Sequence, residues 1–343
     1  MELDKISNLP CGVTQQILSF LPIREAVRTS ILSSNWRHKW AKLPHLVFDD
    51  QCVSDSHGRM TKQIFETIVD HVLLVHSGPI DTFRLSSRNF LAPVCIDTWI
   101  VHLLRNSNSI KEFILKPEGN GSPYNISSCL FLCPELTHLE LYNCLLKPPT
   151  TFKGFPRLKS LDIKKVIVGR VVLERVIVSC PLLERLTLCD LNGLTHLNIN
   201  APNLQFLKVG GCFQGFQLRN TPNLVGLKVT GFRGVQAEVD SLKVLLLRSP
   251  ALQELEISFG QKKNMMRLDD NRSCISTQLR VLKITGFSGG VKDEIDFIRF
   301  LLSSSPVLDR MTLQPTSADV SWELPKMLED FRLVKKNFMD PLT

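Results

Sequence analysis

Apolar residues along the chain follow two rhythms. From Val13 to Trp40 they recur every three or four positions: Val13, Ile17 and Leu21 with Leu18 and Phe20 beside them, then Ile23, Val27 and Ile31, then Trp36 and Trp40. Such spacing places side chains on one side of a helix. Pro10 and Pro22 stand where a first helical turn tolerates proline, and Ser33 or Ser34 can cap a further helix, so the pattern predicts three short helices. From Pro134 onward a different unit, P-x-L-x-x-L-x-[LIV], starts at Pro134, Pro156, Pro181, Pro202, Pro222 and Pro250. It recurs at Leu279 without its proline and at Pro306 with Met311 as the second apolar residue. Alternation within it predicts a short strand whose leucines enter a core while the residues between them point outward. The stretch between these regions predicts an extended Leu43–Asp49, helices over Gln63–His76 and Asp97–Leu104, and strands over Ile80–Leu85 and Ile110–Leu115.

The copies recur within the range of about 20 to 29 residues that marks leucine-rich repeats, and the first continues as L-x-x-L-x-L-x-x-C-x-L through Cys144 and Leu146. One repeat cannot bury its leucine face, whereas a stack buries it continuously and presents a ladder of outward side chains. Between Leu183 and Leu224 each repeat holds a second apolar piece, Leu194-x-x-Leu197-x-Ile199 or Phe213-x-x-Phe216-x-Leu218, which leaves no length for a helix. This section is expected to return through strands, and Val171–Val178 and Leu242–Leu247 through helices. The class is therefore α/β, a repeat solenoid behind a helical module. Its outward positions include Glu140, Tyr142, Asp162, Lys164, Arg185, Asn198, Lys208, Lys228, Glu256 and Lys283. We read them as the surface that binds a partner, mixed in charge early and basic at Lys208 and Lys228.

The helical module poses a separate problem. At roughly 40 residues it has little core for its surface, yet Leu9, Pro10, Leu18, Phe20, Pro22 and Leu32 cannot all reach a three-helix centre. Some of them either dock another protein or pack onto the following domain. The string Asp4-x-Ile6-Ser7-x-Leu9-Pro10, Ile17-Leu18, Leu21-Pro22, Ala26-Val27, Thr29-Ser30-x-Leu32-Ser33 and Trp36-Arg37-x-x-Trp40 resembles an F-box of the plant type. That resemblance implies docking onto the Skp adaptor of a cullin-RING ubiquitin ligase through Leu9, Pro10, Ile17, Leu18, Leu21, Pro22, Val27, Leu32 and Trp36. Gly12 and Asn35 depart from the pattern. The region from Leu279 through Leu302 to Met311 resembles the FBD domain, expected as a strand, helix and strand that cap the repeats, with a further amphipathic segment over Trp322–Lys336. The whole order resembles the plant F-box/FBD/LRR family: F-box over 4–48, a connecting segment with degenerate first repeats over 49–133, leucine-rich repeats over 134–275 and an FBD-like region over 276–343.

Composition narrows the chemistry. The 343 residues are 43% apolar, which suits globular packing. The start, MELDKISNLP, lacks a signal-peptide layout, and there is no apolar run of about 18 residues. We expect no membrane association and a location in the cytoplasm, the nucleus or both. The ten cysteines are scattered, as suits reduced thiols. Cys129-x-x-x-Cys133 with His138 is the one cluster that suggests a metal, but Cys133 and Cys180 each precede a repeat proline, a structural position. The formal charge of +8 is spread along the chain, so nucleic-acid binding is only weakly signalled. With no G-x-S-x-G, H-E-x-x-H or phosphate-binding glycine loop, no cofactor and no catalysis are expected. The leading function is a substrate receptor that holds the adaptor, and through it cullin and RING subunits, with one end and an unknown target with the other. The alternatives are an interaction scaffold without a ligase role and a basic nucleic-acid binder.

Overall fold

The computed structural model describes residues 9–53, 62–87, 93–106, 110–117, 122–191, 194, 196–211, 215–233, 236–260, 278–287 and 292–316. They fall into two units, Met1–Val168 and Gly169–Thr343.

The first unit opens with helices α1 (Cys11–Ser19) and α2 (Ile23–Arg28), started after Pro10 and Pro22 as expected. The expected third helix does not form. Trp36 N bonds Ser33 O at 3.1 Å, Lys39 N bonds Trp36 O at 3.2 Å and Ala41 N bonds His38 O at 3.1 Å, a chain of tight turns ending in a 3-10 turn over Lys39–Lys42. His38, at φ 77°, adopts the left-handed conformation that stops a right-handed helix from continuing. Trp36 and Trp40 are both buried nonetheless.

The segment expected to be extended, Leu43–Asp49, contains β1 (His45–Phe48), which belongs to the sheet of this unit. It pairs in parallel with β2 (Thr82–Ser87). Helix α3 (Lys62–Val75) joins β1 to β2, and α4 (Pro93–Asn106) joins β2 to β3 (Glu112–Pro117). Short β4 (Tyr124–Asn125), β5 (His138–Tyr142), short β6 (Cys144–Leu145) and β7 (Ser160–Lys164) follow. The strands run β1-β2-β3-β5-β7, every pair parallel. Register aligns two inward rows: Leu46, Phe83, Phe113, Leu139 and Leu161, then Phe48, Leu85, Leu115, Leu141 and Ile163, all buried. These rows are the core that period-two leucine spacing encodes. Phe83 lies 5.8 Å, centroid to centroid, from both Phe48 and Phe113. Trp99 on α4 donates to Asp70 Oδ1 on α3 at 2.6 Å, which clamps the two helices together.

The second unit begins with α5 (Arg170–Val178) and continues through β8 (Arg185–Cys189), β9 (His196–Asn200), β10 (Phe206–Gly210), β11 (Gly215–Arg219) and β12 (Gly226–Phe232). Then come α6 (Gln236–Arg248), β13 (Glu254–Phe259), β14 (Val281–Phe287), α7 (Lys292–Ser303) and β15 (Arg310–Pro315). The order is β8-β10-β12-β13-β14-β15, again parallel, while β9 and β11 pair only with each other in a separate ribbon. This central section returns through strands, and the helices expected at Val171–Val178 and Leu242–Leu247 are α5 and α6.

Successive repeats are joined by backbone bonds just before each strand, such as Gln205 N to Glu184 O at 2.8 Å and Val225 N to Gln205 O at 2.8 Å. The asparagines of the P-N-L copies add a ladder: Asn203 Nδ2 donates to Pro181 O at 2.8 Å and Asn223 Nδ2 to Pro202 O at 3.0 Å. Strands leave the sheet through a left-handed residue, Asn143, Lys165 or Asp190 in some repeats and glycine in others. At Gly286, φ 75°, glycine is required doubly, because a Cβ would lie 2.9 Å from Phe259 O. The strand-helix-strand expected near the C-terminus is β14, α7 and β15. Phe297 of α7 stacks on Phe232 at 5.2 Å and meets Phe259 edge-on at 6.4 Å. Trp322–Lys336 lies outside the described residues.

Candidate functional site

Two surfaces come from the sequence reading. On the helical module, α1 turns Thr14 and Leu18 inward and presents Val13 and Ile17 outward, and Leu21, just past its end, is exposed as well. Thr14 is accommodated in the interior because Oγ1 donates to Pro10 O at 3.0 Å and accepts from Lys39 Nζ at 3.2 Å. With Ile23, Ala26, Trp36 and Trp40, Leu18 fills the core. The residues assigned to adaptor contact therefore divide. Leu18 and Trp36, at 0% and 3% exposure, support the module from within and cannot offer a free surface. Pro10, Ile17, Leu21, Pro22 and Leu32 are exposed and Leu9 is half-buried.

Val27 is half-buried and lines a groove between α2 and α3 together with Ile23, Ile64 and Ile68, about 350 Å³ in volume. None of Leu9, Pro10, Leu18, Phe20, Pro22 and Leu32, the residues of the apolar surplus, lines this groove. Sequence reasoning missed Ile31, which is 86% exposed, and did not assign Phe20, 80% exposed, a contact role. Ile31 leaves the face of Ile23 because α2 ends at Arg28 and Thr29–Ile31 tightens into a 3-10 turn, which shifts the angular spacing. The exposure of several large apolar residues on so small a module is the signal that marks them.

On the sheets, register defines the outward ladders. In the first unit Val47, Arg84, Ile114, Glu140 and Asp162 form one row. Glu140 is only 7% exposed. It accepts from Lys116 at 2.9 Å and Lys164 at 3.4 Å, and Lys164 also meets Asp162 at 3.1 Å. Burial would raise the Glu140 carboxyl, but the two ammonium groups outweigh it and hold it below the usual carboxylate range. At Asp162 burial wins over Lys164, and the carboxyl is pushed up. Tyr142 carries the Lys165 ammonium 5.1 Å from its ring centroid. These four assigned residues, Glu140, Tyr142, Asp162 and Lys164, are brought together and largely occupied with one another or with adjacent lysines.

In the second unit Thr187, Lys208, Lys228, Glu256, Lys283 and Thr312 share a row. Glu256 accepts from Lys228 at 2.9 Å and Lys283 at 3.3 Å. Its carboxyl is raised by burial, but the paired lysines outweigh that and hold it low. Arg185, at the neighbouring row, stacks 4.4 Å from the Phe206 ring centroid. Asn198 does not belong here. It sits on β9, and β8 pairs directly with β10, so His196, Asn198 and Asn200 stay in the β9–β11 ribbon. Every second apolar strand in these short repeats leaves the main sheet, and the L-x-x-L-x-I spacing is the same in both kinds.

Among the described residues no group of three His, Cys, Asp or Glu is placed to hold a metal. Cys129, Cys133 and His138 form no ligand set, and burial pushes the Cys133 thiol up to about 12, away from the thiolate that a metal requires. Among the described residues no helix is long and apolar enough to cross a membrane.

Comparison with known proteins finds three family profiles along the chain. A profile of the F-box domain matches residues 6–48, one described as FBD-associated F-box protein At5g56370, LRR repeats, matches 96–230, and the FBD profile matches 272–313. The Arabidopsis thaliana F-box/FBD/LRR-repeat protein At1g13570 is 34% identical, with 96% of this chain and 95% of that protein covered. FBD-associated F-box protein At5g56370 from the same plant is 30% identical over 92% of this chain and 76% of its own length. FBD-associated F-box protein At4g10400 is 27% identical over 96% and 84%.

Proposed function

Because the chain belongs to the plant F-box/FBD/LRR-repeat family, we propose that it is the substrate-recognition subunit of an SCF-type (Skp-cullin-F-box) ubiquitin ligase. The F-box holds the Skp-type adaptor and, through it, cullin and RING subunits, while the outward sheet face of the repeats holds a target protein. The chain performs no catalysis in this role. It raises the effective concentration of target lysines near a ubiquitin-charged enzyme that other subunits carry. The repeats act as a solenoid whose last strand-helix-strand closes the array, and the protein works in the cytoplasm, the nucleus or both.

The observation that carries the reading is the set of large apolar residues left exposed on a module whose interior is filled by others. Phe20, Ile31 and Leu32 are 80%, 86% and 65% exposed while Leu18, Trp36 and Trp40 are packed inside. Solvent gives such an arrangement no stability, and a partner's apolar surface does. The test is co-purification of the chain with a Skp-type adaptor, using wild type and a Leu9→Ala, Pro10→Ala double variant whose fold is checked by circular dichroism. Stable recovery of adaptor with wild type and its loss with the folded variant are expected. Failure of the wild type to retain the adaptor overturns the ligase role.

A further inference from the structure

We propose that the target-binding part of the repeats is the outward face of the second unit, and that it takes an acidic peptide segment with an apolar side chain beside its carboxylates. This rests on the reading of the repeats as the target-holding element. It names which residues recognise and what chemistry they recognise.

The two units treat their charges differently. In the first, the acids Glu140 and Asp162 and the bases Lys116 and Lys164 neutralise one another within 2.9–3.4 Å. A partner would have to break that network, leaving a poorly hydrated carboxylate without its counter-charge. In the second, the outward rows carry Arg185, Lys208, Lys228, Lys283 and Arg310 against Glu254 and Glu256. Glu256 is shared by Lys228 and Lys283. Lys208 has Thr187 on one side in register and Lys228 on the other, so no acid stands opposite it. Lys228 is engaged by Glu256 at 2.9 Å, which leaves Lys208 as the cation of this row to which an incoming anion adds a counter-charge.

Beside Lys208, Phe206 is half-buried between the Arg185 guanidinium and the bare backbone of Gly226, forming a flat apolar step with a cation on it. Basic charge and an apolar step side by side suit a carboxylate and a neighbouring apolar group on one extended chain. Nucleic acid fits less well. A nucleic-acid strand carries a phosphate at every nucleotide and follows a continuous basic track, whereas Glu254 and Glu256 interrupt the basic run two strands from Lys208 and a peptide can set a carboxylate at Lys208 and neutral residues beside the acids.

Fluorescence anisotropy with the full chain tests this, using a labelled glutamate-rich peptide containing phenylalanine, its glutamine counterpart and an oligouridine. We expect the glutamate peptide to bind more tightly than the glutamine one and to weaken as salt rises. Lys208→Glu should weaken it roughly tenfold, while Glu135→Gln, at a surface ion pair with Arg157 in the first unit, should leave it unchanged. Equal binding of the two peptides, or a Lys208→Glu variant that binds the acidic peptide like wild type, overturns the proposal. So does an oligouridine that binds more tightly with a steeper salt dependence, which reassigns the face to nucleic acid. Adaptor retention is measured on the same preparations. Loss of adaptor binding with peptide recognition intact sinks the ligase role alone, whereas adaptor binding without peptide preference sinks this inference alone.

Discussion

The ring of Phe206 lies across Gly226, its register partner on the next strand. A Cβ placed on Gly226 would come within 2.7 Å of Phe206 Cδ1, and the guanidinium of Arg185 sits 4.4 Å from the same ring. Gly226→Ala should therefore displace the ring, cost about 1–3 kcal/mol through overpacking and disturb the step beside Lys208. Urea denaturation of the variant, with anisotropy of the acidic peptide alongside, measures both effects.

Glu140 illustrates a different coupling. Its carboxyl is buried and held low by Lys116 and Lys164, so the folded state binds its proton less readily than the unfolded chain. The stability it contributes is fully present above the ordinary glutamate value and is lost as pH falls through the lowered one. Glu140→Ala should cost about 1–3 kcal/mol, since two lysines lose a charged hydrogen-bond partner. Removing the exposed Glu25 partner of Arg28, which is 46% exposed in its side chain, should change stability by less than about 0.5 kcal/mol. Chemical denaturation at neutral pH compares the two.

The helical module offers a contrast between inside and outside. Leu18→Ala removes a fully buried side chain and should cost about 2–5 kcal/mol. Ile31→Ser, at a residue 86% exposed, should leave stability within about 0.5 kcal/mol yet weaken adaptor retention. Thermal melts and adaptor pull-down on both variants separate a core role from a contact role.

Gly12 can be improved. Nothing lies within 4 Å of a Cβ at that position, and in a helix glycine costs up to about 1 kcal/mol against alanine. Gly12→Ala should raise the melting temperature without loss of adaptor binding.

His76 ties the end of α3 to the exit of the module, with Nε2 donating to Leu43 O at 2.9 Å when the ring is neutral. Burial lowers its pKa below the ordinary value. A neutral His76 therefore stabilises the fold above about 6.5, and that contribution is lost as pH falls through the lowered value. His76→Gln should flatten the decline in melting temperature on acidification, which differential scanning fluorimetry across that range will show.

The sequence by itself determined the repeat strands, their inward leucines, the strand returns near β9 and β11, and the helices α5, α6 and α7. These depend on local periods of two and 3.6, and each repeat needs only its neighbours to bury them. Tertiary structure decided what period leaves degenerate. Thr14–Leu18 and Val13–Ile17–Leu21 are both helically spaced, and only the packing of Trp36 and Trp40 selects the first for the interior. Asn198 and Lys208 sit in the same motif, but pairing of β8 with β10 leaves Asn198 in the separate ribbon. The third helix gave way to turns at His38, and the extended segment after it became a paired strand, β1, because Leu46 and Phe48 find Phe83 and Phe113 only after residues far along the chain have folded beside them. Partners distant in sequence set those outcomes, and no local pattern contains them.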